Sequence, residues 1–182
     1  MSCTEIFGID KNGDLSEIDE TGNAFRGAMA IWTIMEERYL PSLEKPYWMT
    51  EEREYYSRLS SFGDDNMMQE IWDIPKSDKV SRIDKIVMCT TFDYCIVKRE
   101  NFDELLEAFD SFEGNTSLKE QAEIIREILD DENIVGVAWN QTSVNDMWHG
   151  SYDDDDEYIP FNINTCSEEI DNVFEKEQLK LV

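Results

Sequence analysis

The opening stretch CTEIFGIDKNGDLSEID divides at Asn12-Gly13 into two short β-prone runs. Both turn residues tolerate positive φ, so the pair predicts a hairpin. The period then lengthens. Across residues 24–39, AFRGAMAIWTIMEERY, the apolar positions Ala28, Ile31, Trp32 and Met35 recur at three- and four-residue steps. That spacing predicts a helix, which Pro41 ends. Residues 41–66 hold no sustained period beyond a short helical candidate at TEEREYYSRLS. NMMQEIWDI, residues 66–74, predicts a short helix closed by Pro75. In KIVMCTTFDYCIVKRE two β-rich runs, 85–90 and 93–98, predict strands.

Two further helices follow. Asn101 stands where it would cap FDELLEAFDSF, and Ser117 where it would cap LKEQAEIIREILDD, with Glu120 in the capping-box position. IVGVAW predicts a strand. From Ser143 onward the pattern is irregular until a short helix near residues 167–177. Trp32, Trp72 and Trp139 fall within apolar patterns and are expected in the core. Trp48 and Trp148 fall in loop-like segments, where exposure would make them interface anchors. There are no repeats and no linker. The pattern predicts an α+β domain over residues 1–148, a small antiparallel or mixed sheet with packed helices. An irregular acidic arm, residues 149–182, would pack on or extend it.

Composition sharpens this in one respect. The 182 residues include 42 acidic and 16 basic side chains, a formal net charge of −26. Scaling gives a folded surface of roughly 9,000 Å², or about one net negative charge per 350 Å². Such a field repels nucleic acid and attracts basic proteins. It also serves solubility, and composition alone leaves both uses open. No apolar run is long enough for a membrane span, and the first residues lack a basic start followed by an apolar stretch. A cytoplasmic chain with reduced thiols at Cys3, Cys89, Cys95 and Cys166 is therefore expected.

The charge is uneven. Residues 1–75 carry −10, 76–99 carry +3, 100–132 carry −10, 133–150 carry −1 and 151–182 carry −8. The one basic island is KSDKVSRIDK, residues 76–85. It would dock on the protein's own acidic surface or touch nucleic acid. In the second acidic helix Leu118, Ala122, Ile125 and Leu129 mark the core face. Glu120, Glu123, Glu127 and Asp130, with Asp131 beside them, step along another. Adjacent carboxylates on such a face rise about 4.5–6 Å along the axis, loosely comparable to the roughly 3.4 Å phosphate repeat of one DNA strand. Only Lys119 and Arg126 relieve them within the helix. The face reads either as a solvated surface or as a ridge for a basic groove. SYDDDDEY, residues 151–158, carries Asp153, Asp154, Asp155, Asp156 and Glu157 between Tyr152 and Tyr158. It reads as a solvated run or as a partner contact in which the tyrosines add aromatic area.

Other chemistry finds little support. Asp10, Asn12 and Asp14 begin a calcium-loop pattern, but Leu15 and Thr21 replace its required Gly and Glu, which favours the hairpin. A straight acidic run does not converge on one ion. A single histidine, His149, and four scattered cysteines form no usual zinc motif, and long-range convergence is not visible in a sequence. Nucleophile-elbow, zincin and P-loop motifs are absent. No catalytic residue, metal or cofactor is expected. A magnesium-dependent hydrolase using carboxylates is the lesser alternative.

The stretches GNAFRGAMAIWTIMEERYLP, MMQEIWDI, TTFDYCIVKRENFDELLEAFDSFEG and VAWNQTSVNDMW together resemble small acidic prophage proteins of the anti-CRISPR kind. The resemblance implies an inhibitor of a guide-RNA-loaded Cas9-type nuclease, acting in the cytoplasm of an infected bacterium and binding no nucleic acid itself. Such nucleases hold their heteroduplex in a positive channel, which an acidic protein can occupy. The expected contacts are the helix ridge and the 151–158 run. An acidic adaptor for another basic nucleic-acid-binding host protein is the alternative.

Overall fold

The Asn12-Gly13 turn folds β1, Cys3–Asp10, back on β2, Leu15–Gly22, in antiparallel register. The computed structural model describes residues 2–44, 57–61, 65–91, 95–142, 150–152, 158–165 and 170–180. Within the turn Gly13 has φ 91°, where a side chain would be strained and would also collide with Asn164. The Asp10 carboxylate accepts the N–H groups of Asn12 at 2.7 Å and Asp14 at 3.1 Å. Desolvation opposes these bonds, yet they hold Asp10 below its ordinary pKa. The loop that began like a calcium site thus uses its first aspartate to close a turn.

β1 also pairs antiparallel with β4, Ile134–Gln141, and β4 with β3, Cys95–Lys98. A two-residue strand, Asp171–Asn172, adds in parallel to β3. It is numbered β7, after a separate antiparallel pair formed by β5, Gly150–Tyr152, and β6, Tyr158–Pro160. The main sheet runs β2-β1-β4-β3-β7, a mixed five-stranded sheet in an α+β domain.

Among the described residues five helices accompany it: α1, Ala28–Tyr39; α2, Asp65–Asp73; α3, Arg82–Thr90; α4, Phe102–Ser111; and α5, Leu118–Glu127. α1 starts four residues later than its period suggested, because the carbonyl of Asn23 accepts the N–H groups of Arg26 and Gly27 in a preceding turn. α3 replaces the strand expected over 85–90. Ser81 caps it by accepting the Asp84 N–H at 3.1 Å, and Ile86, Val87, Met88, Cys89 and Thr90 are all buried. The second half of α3 is a continuous buried apolar run, and a run that short reads equally as a strand or as buried helix. Short 3-10 turns at Val173–Glu175 and Glu177–Leu179 stand where one C-terminal helix was expected.

Neither predicted cap is made by its side chain. Asn101 and Ser117 occupy the capping positions without a side-chain cap bond. Ser117 instead accepts the Gln121 amide at 3.0 Å, and that amide's oxygen accepts the Trp139 indole N–H at 3.1 Å. Trp139 meets Phe109 edge to face, ring centroids 6.3 Å apart. Ile6, Cys95, Val97, Val137 and Trp139 bring the sheet into the main core, with Ile31, Met35, Leu105, Phe109 and Ile125 among those from the helices. The opposite sheet face carries Phe7, Ile9, Ile96 and Ala138, with Phe161, Ile163 and Ile170 packed against it. Val173 and Leu179 enter the main core. Trp72, expected inside, is 46% exposed on α2. Trp48 and Trp148 lie outside the described residues.

Candidate protein-interaction surface

α5 is built for two environments. Leu118, Ala122 and Ile125 are buried, while Glu120, Glu123 and Glu127 face water. The helix stops at Glu127, short of the expected end at Asp131. Beyond it the Arg99 guanidinium donates to the carbonyls of Asp131 and Ile134, both at 2.7 Å, and to that of Leu129. Those bonds accompany the turns over residues 128–133 that lead into β4. Asp130 and Asp131 are exposed but do not prolong the helical ridge. Asp131 accepts the Asn133 N–H at 2.8 Å.

The ridge is also better neutralised than its own helix implies. Arg26, from the turn before α1, pairs with Glu120 at 2.5 Å. Arg126 pairs with Glu123 at 3.0 Å and reaches Asp110 on α4. These contacts tie the ridge to a wider acidic field. Asp103, Glu107 and Glu113 are exposed on and beside α4. On the other flank α5 packs against β2, where exposed Asp19 pairs in register with the core residue Ile6, while exposed Glu17 and Glu20 pair with Phe7 and Glu5 toward the other face of the sheet. Sequence reasoning missed these strand carboxylates, since nothing local places β2 beside α5. Charged residues on an edge strand also discourage further strand pairing.

An aromatic stands beside this field. Phe25 is 94% exposed with φ 60°, a conformation uncommon for a bulky residue. It adjoins Arg26, whose side chain holds Glu120 and whose carbonyl accepts the Ser117 N–H at 3.0 Å. Phe25 therefore projects at the N-terminal end of α5. Its sequence signal was the helix-like pattern around it, which concealed its exposure.

The second expected contact is described only at its ends. Tyr152 and Tyr158 are register partners in the β5–β6 pair, so the flanks of the run are more regular than an irregular arm implies. Asp153, Asp154, Asp155, Asp156 and Glu157 lie outside the described residues. Residues 161–164 dock on the β1–β2 turn. There the Asn162 and Asn164 amides both reach the Asn12 carbonyl, at 3.2 and 2.5 Å.

The basic island is partly spent within the fold. Arg82 pairs with Glu104 and donates to the Leu179 carbonyl at 2.8 Å, and Lys76 pairs with Asp73 at 2.6 Å. Lys76 and Lys85 line a cavity of about 410 Å³ with Lys180 and the acids Asp78 and Glu177.

One described cluster has metal-ligand character. The Cys3 thiol and the carboxylates of Glu5 and Glu20 place ligand atoms within 4.8 Å of one another. Burial raises the Cys3 pKa, as does a hydrogen bond with Glu20, against a smaller effect of Thr142. Among the described residues no helix is long and apolar enough to cross a membrane. No family model, no curated protein and no solved structure matches the chain.

Proposed function

We propose that the protein is a stoichiometric inhibitor that presents an acidic surface to a basic nucleic-acid-binding groove, and that its target is a guide-RNA-loaded Cas9-type nuclease. The observation that carries this reading is the field around α5. Exposed carboxylates on α4, α5 and β2 outnumber the arginines among them, and the strained, exposed Phe25 stands at its end. Charge of one sign speeds encounter with an oppositely charged groove. A rigid aromatic at the rim supplies the apolar anchor that charge alone lacks. The choice of a guided nuclease among basic targets rests on the sequence resemblance to prophage inhibitors. Binding would block entry of target DNA or its later cleavage.

Gel filtration with guide-loaded nuclease at moderate salt tests the reading. Co-elution that weakens as salt rises, and that target DNA prevents, is the expected result. Separate elution from several such nucleases sinks the choice of target. Binding that survives combined Glu123→Lys, Glu127→Lys and Phe25→Ala changes sinks the surface.

A further inference from the structure

On the sheet face opposite the helices, three polar residues form a row across three strands. Glu5 on β1 is the register partner of Glu20 on β2 and of Asn140 on β4. Cys3, two residues before Glu5 on the same strand, shares that face. Two carboxylates directly opposite each other across an antiparallel pair repel, and a cation shared between them would relieve that repulsion. Cys3 itself is fixed in place. Its N–H donates to the Thr142 hydroxyl at 3.0 Å, its carbonyl accepts the Thr142 N–H at 3.1 Å, and its sulfur lies 3.6 Å from that hydroxyl.

Asn140 supplies a second, independent observation. It is 2% exposed, and its amide nitrogen donates to Glu5 Oε2 at 2.6 Å, so the amide is turned toward the cluster. Among the described residues the oxygen of that amide is buried without a hydrogen-bond partner. A buried polar atom left unsatisfied costs free energy and calls for an explanation, an ion among them. A thiolate with two carboxylates, one of them gripped by a buried amide, has the make-up of a ligand set with an outer positioning group.

We propose that Cys3, Glu5 and Glu20 bind a thiophilic divalent cation, Zn²⁺ by ligand chemistry, with Asn140 orienting Glu5. The thiolate selects Zn²⁺ over Mg²⁺ and Ca²⁺, which prefer oxygen alone. Bond lengths of about 2.3 Å to sulfur and 2.0–2.2 Å to oxygen place tetrahedral ligands about 3.3–3.8 Å apart. The ligand atoms, within 4.8 Å of one another, therefore need to close by about an ångström, within reach of side-chain rotation. Binding replaces the thiol proton, which leaves to solvent. Three protein ligands leave the fourth position to water.

The test is titration of the untagged, reduced protein with Co²⁺, which reports thiolate ligation by a sulfur-to-cobalt charge-transfer absorption. A 1:1 complex with that absorption, displaced by Zn²⁺, is expected. Cys3→Ser should abolish the absorption and Cys166→Ser should leave it. Glu20→Gln, at an exposed position, should weaken binding at least ten-fold while circular dichroism stays unchanged. Absence of the absorption overturns the proposal. So does its persistence in Cys3→Ser, or unaltered affinity in Glu20→Gln.

Discussion

Arg58 and Arg126 each bridge two carboxylates, and the two sites differ in almost everything else. Arg58 is 3% exposed. It meets Glu36 at 2.9 Å and Glu70 at 2.6 Å, and donates to the Pro41 carbonyl at 3.1 Å. Glu36, also 3% exposed, is completed by the Ser57 hydroxyl at 2.9 Å and the Arg58 N–H at 3.0 Å. Burial alone would lower the arginine's pKa, but its bonds to the two glutamates raise it further. Arg126 holds Asp110 and Glu123 in the open, where Glu123 keeps 74% of its side-chain exposure. The first site closes the α1–α2 end of the fold around the buried Arg58–Glu36 pair, with Glu70 reaching in from a half-exposed position. The second trims an acidic surface without neutralising it. A buried pair costs more to break than it gains by forming, whereas an exposed pair is cheap to break and free to exchange partners.

The widest expected gap is in stability. Arg58→Met strands the Glu36 carboxylate in the interior and should cost about 3–5 kcal/mol, read from urea unfolding. A loss under about 1 kcal/mol would make the two arginines equivalent and dissolve the contrast. Phe25→Gly should act in the opposite sense. Relief of the positive φ, less the chain entropy glycine adds, stabilises by up to about 1 kcal/mol, while binding of the partner weakens. Destabilisation by that change would mean that Phe25 serves the fold and not the surface. Arg126→Met should cost only about 0.2–1 kcal/mol and leave partner binding intact or stronger. The smallest stability effect belongs to the triple change Glu123→Lys, Glu127→Lys and Asp130→Lys, which takes the net charge from −26 to −20, two charges per reversal. Less like-charge repulsion raises the melting temperature slightly at low salt and hardly at all at high salt. Equal shifts at both salts would remove repulsion as the cause.

Much of this architecture was legible where one face of an element meets water. The β1–β2 turn, α4, the α5 core face and β4 all follow from local period and turn chemistry. α3 did not, because the unbroken buried run Ile86 to Thr90 is too short to separate a strand from a helix. The β5 and β6 strands, three residues each, are too short to leave a pattern. Trp72 misleads because an aromatic in an apolar run reads as core, whereas it stands 46% exposed on α2. For the candidate surface, the carboxylates on α5 were readable from helical spacing. The contribution of β2, the cross-chain pairing of Arg26 with Glu120, and the exposure of Phe25 were not. Each depends on residues distant in sequence meeting in space.

Arg99 carries one more lesson. A single guanidinium, almost thirty residues before the end of α5, gathers the carbonyls of Leu129, Asp131 and Ile134 and so sets where the ridge turns away from its axis. The segment from Leu118 to Asp131 has the periodicity of a longer helix. Excised as a peptide, it would lack Arg99, and whatever helix it formed would run on along that axis and space its acids as the intact protein does not. The charged ridge is therefore not a portable ligand. A mimic of it would have to import the bend along with the charges, and lysine in place of Arg99 lacks the planar fork that binds several carbonyls at once.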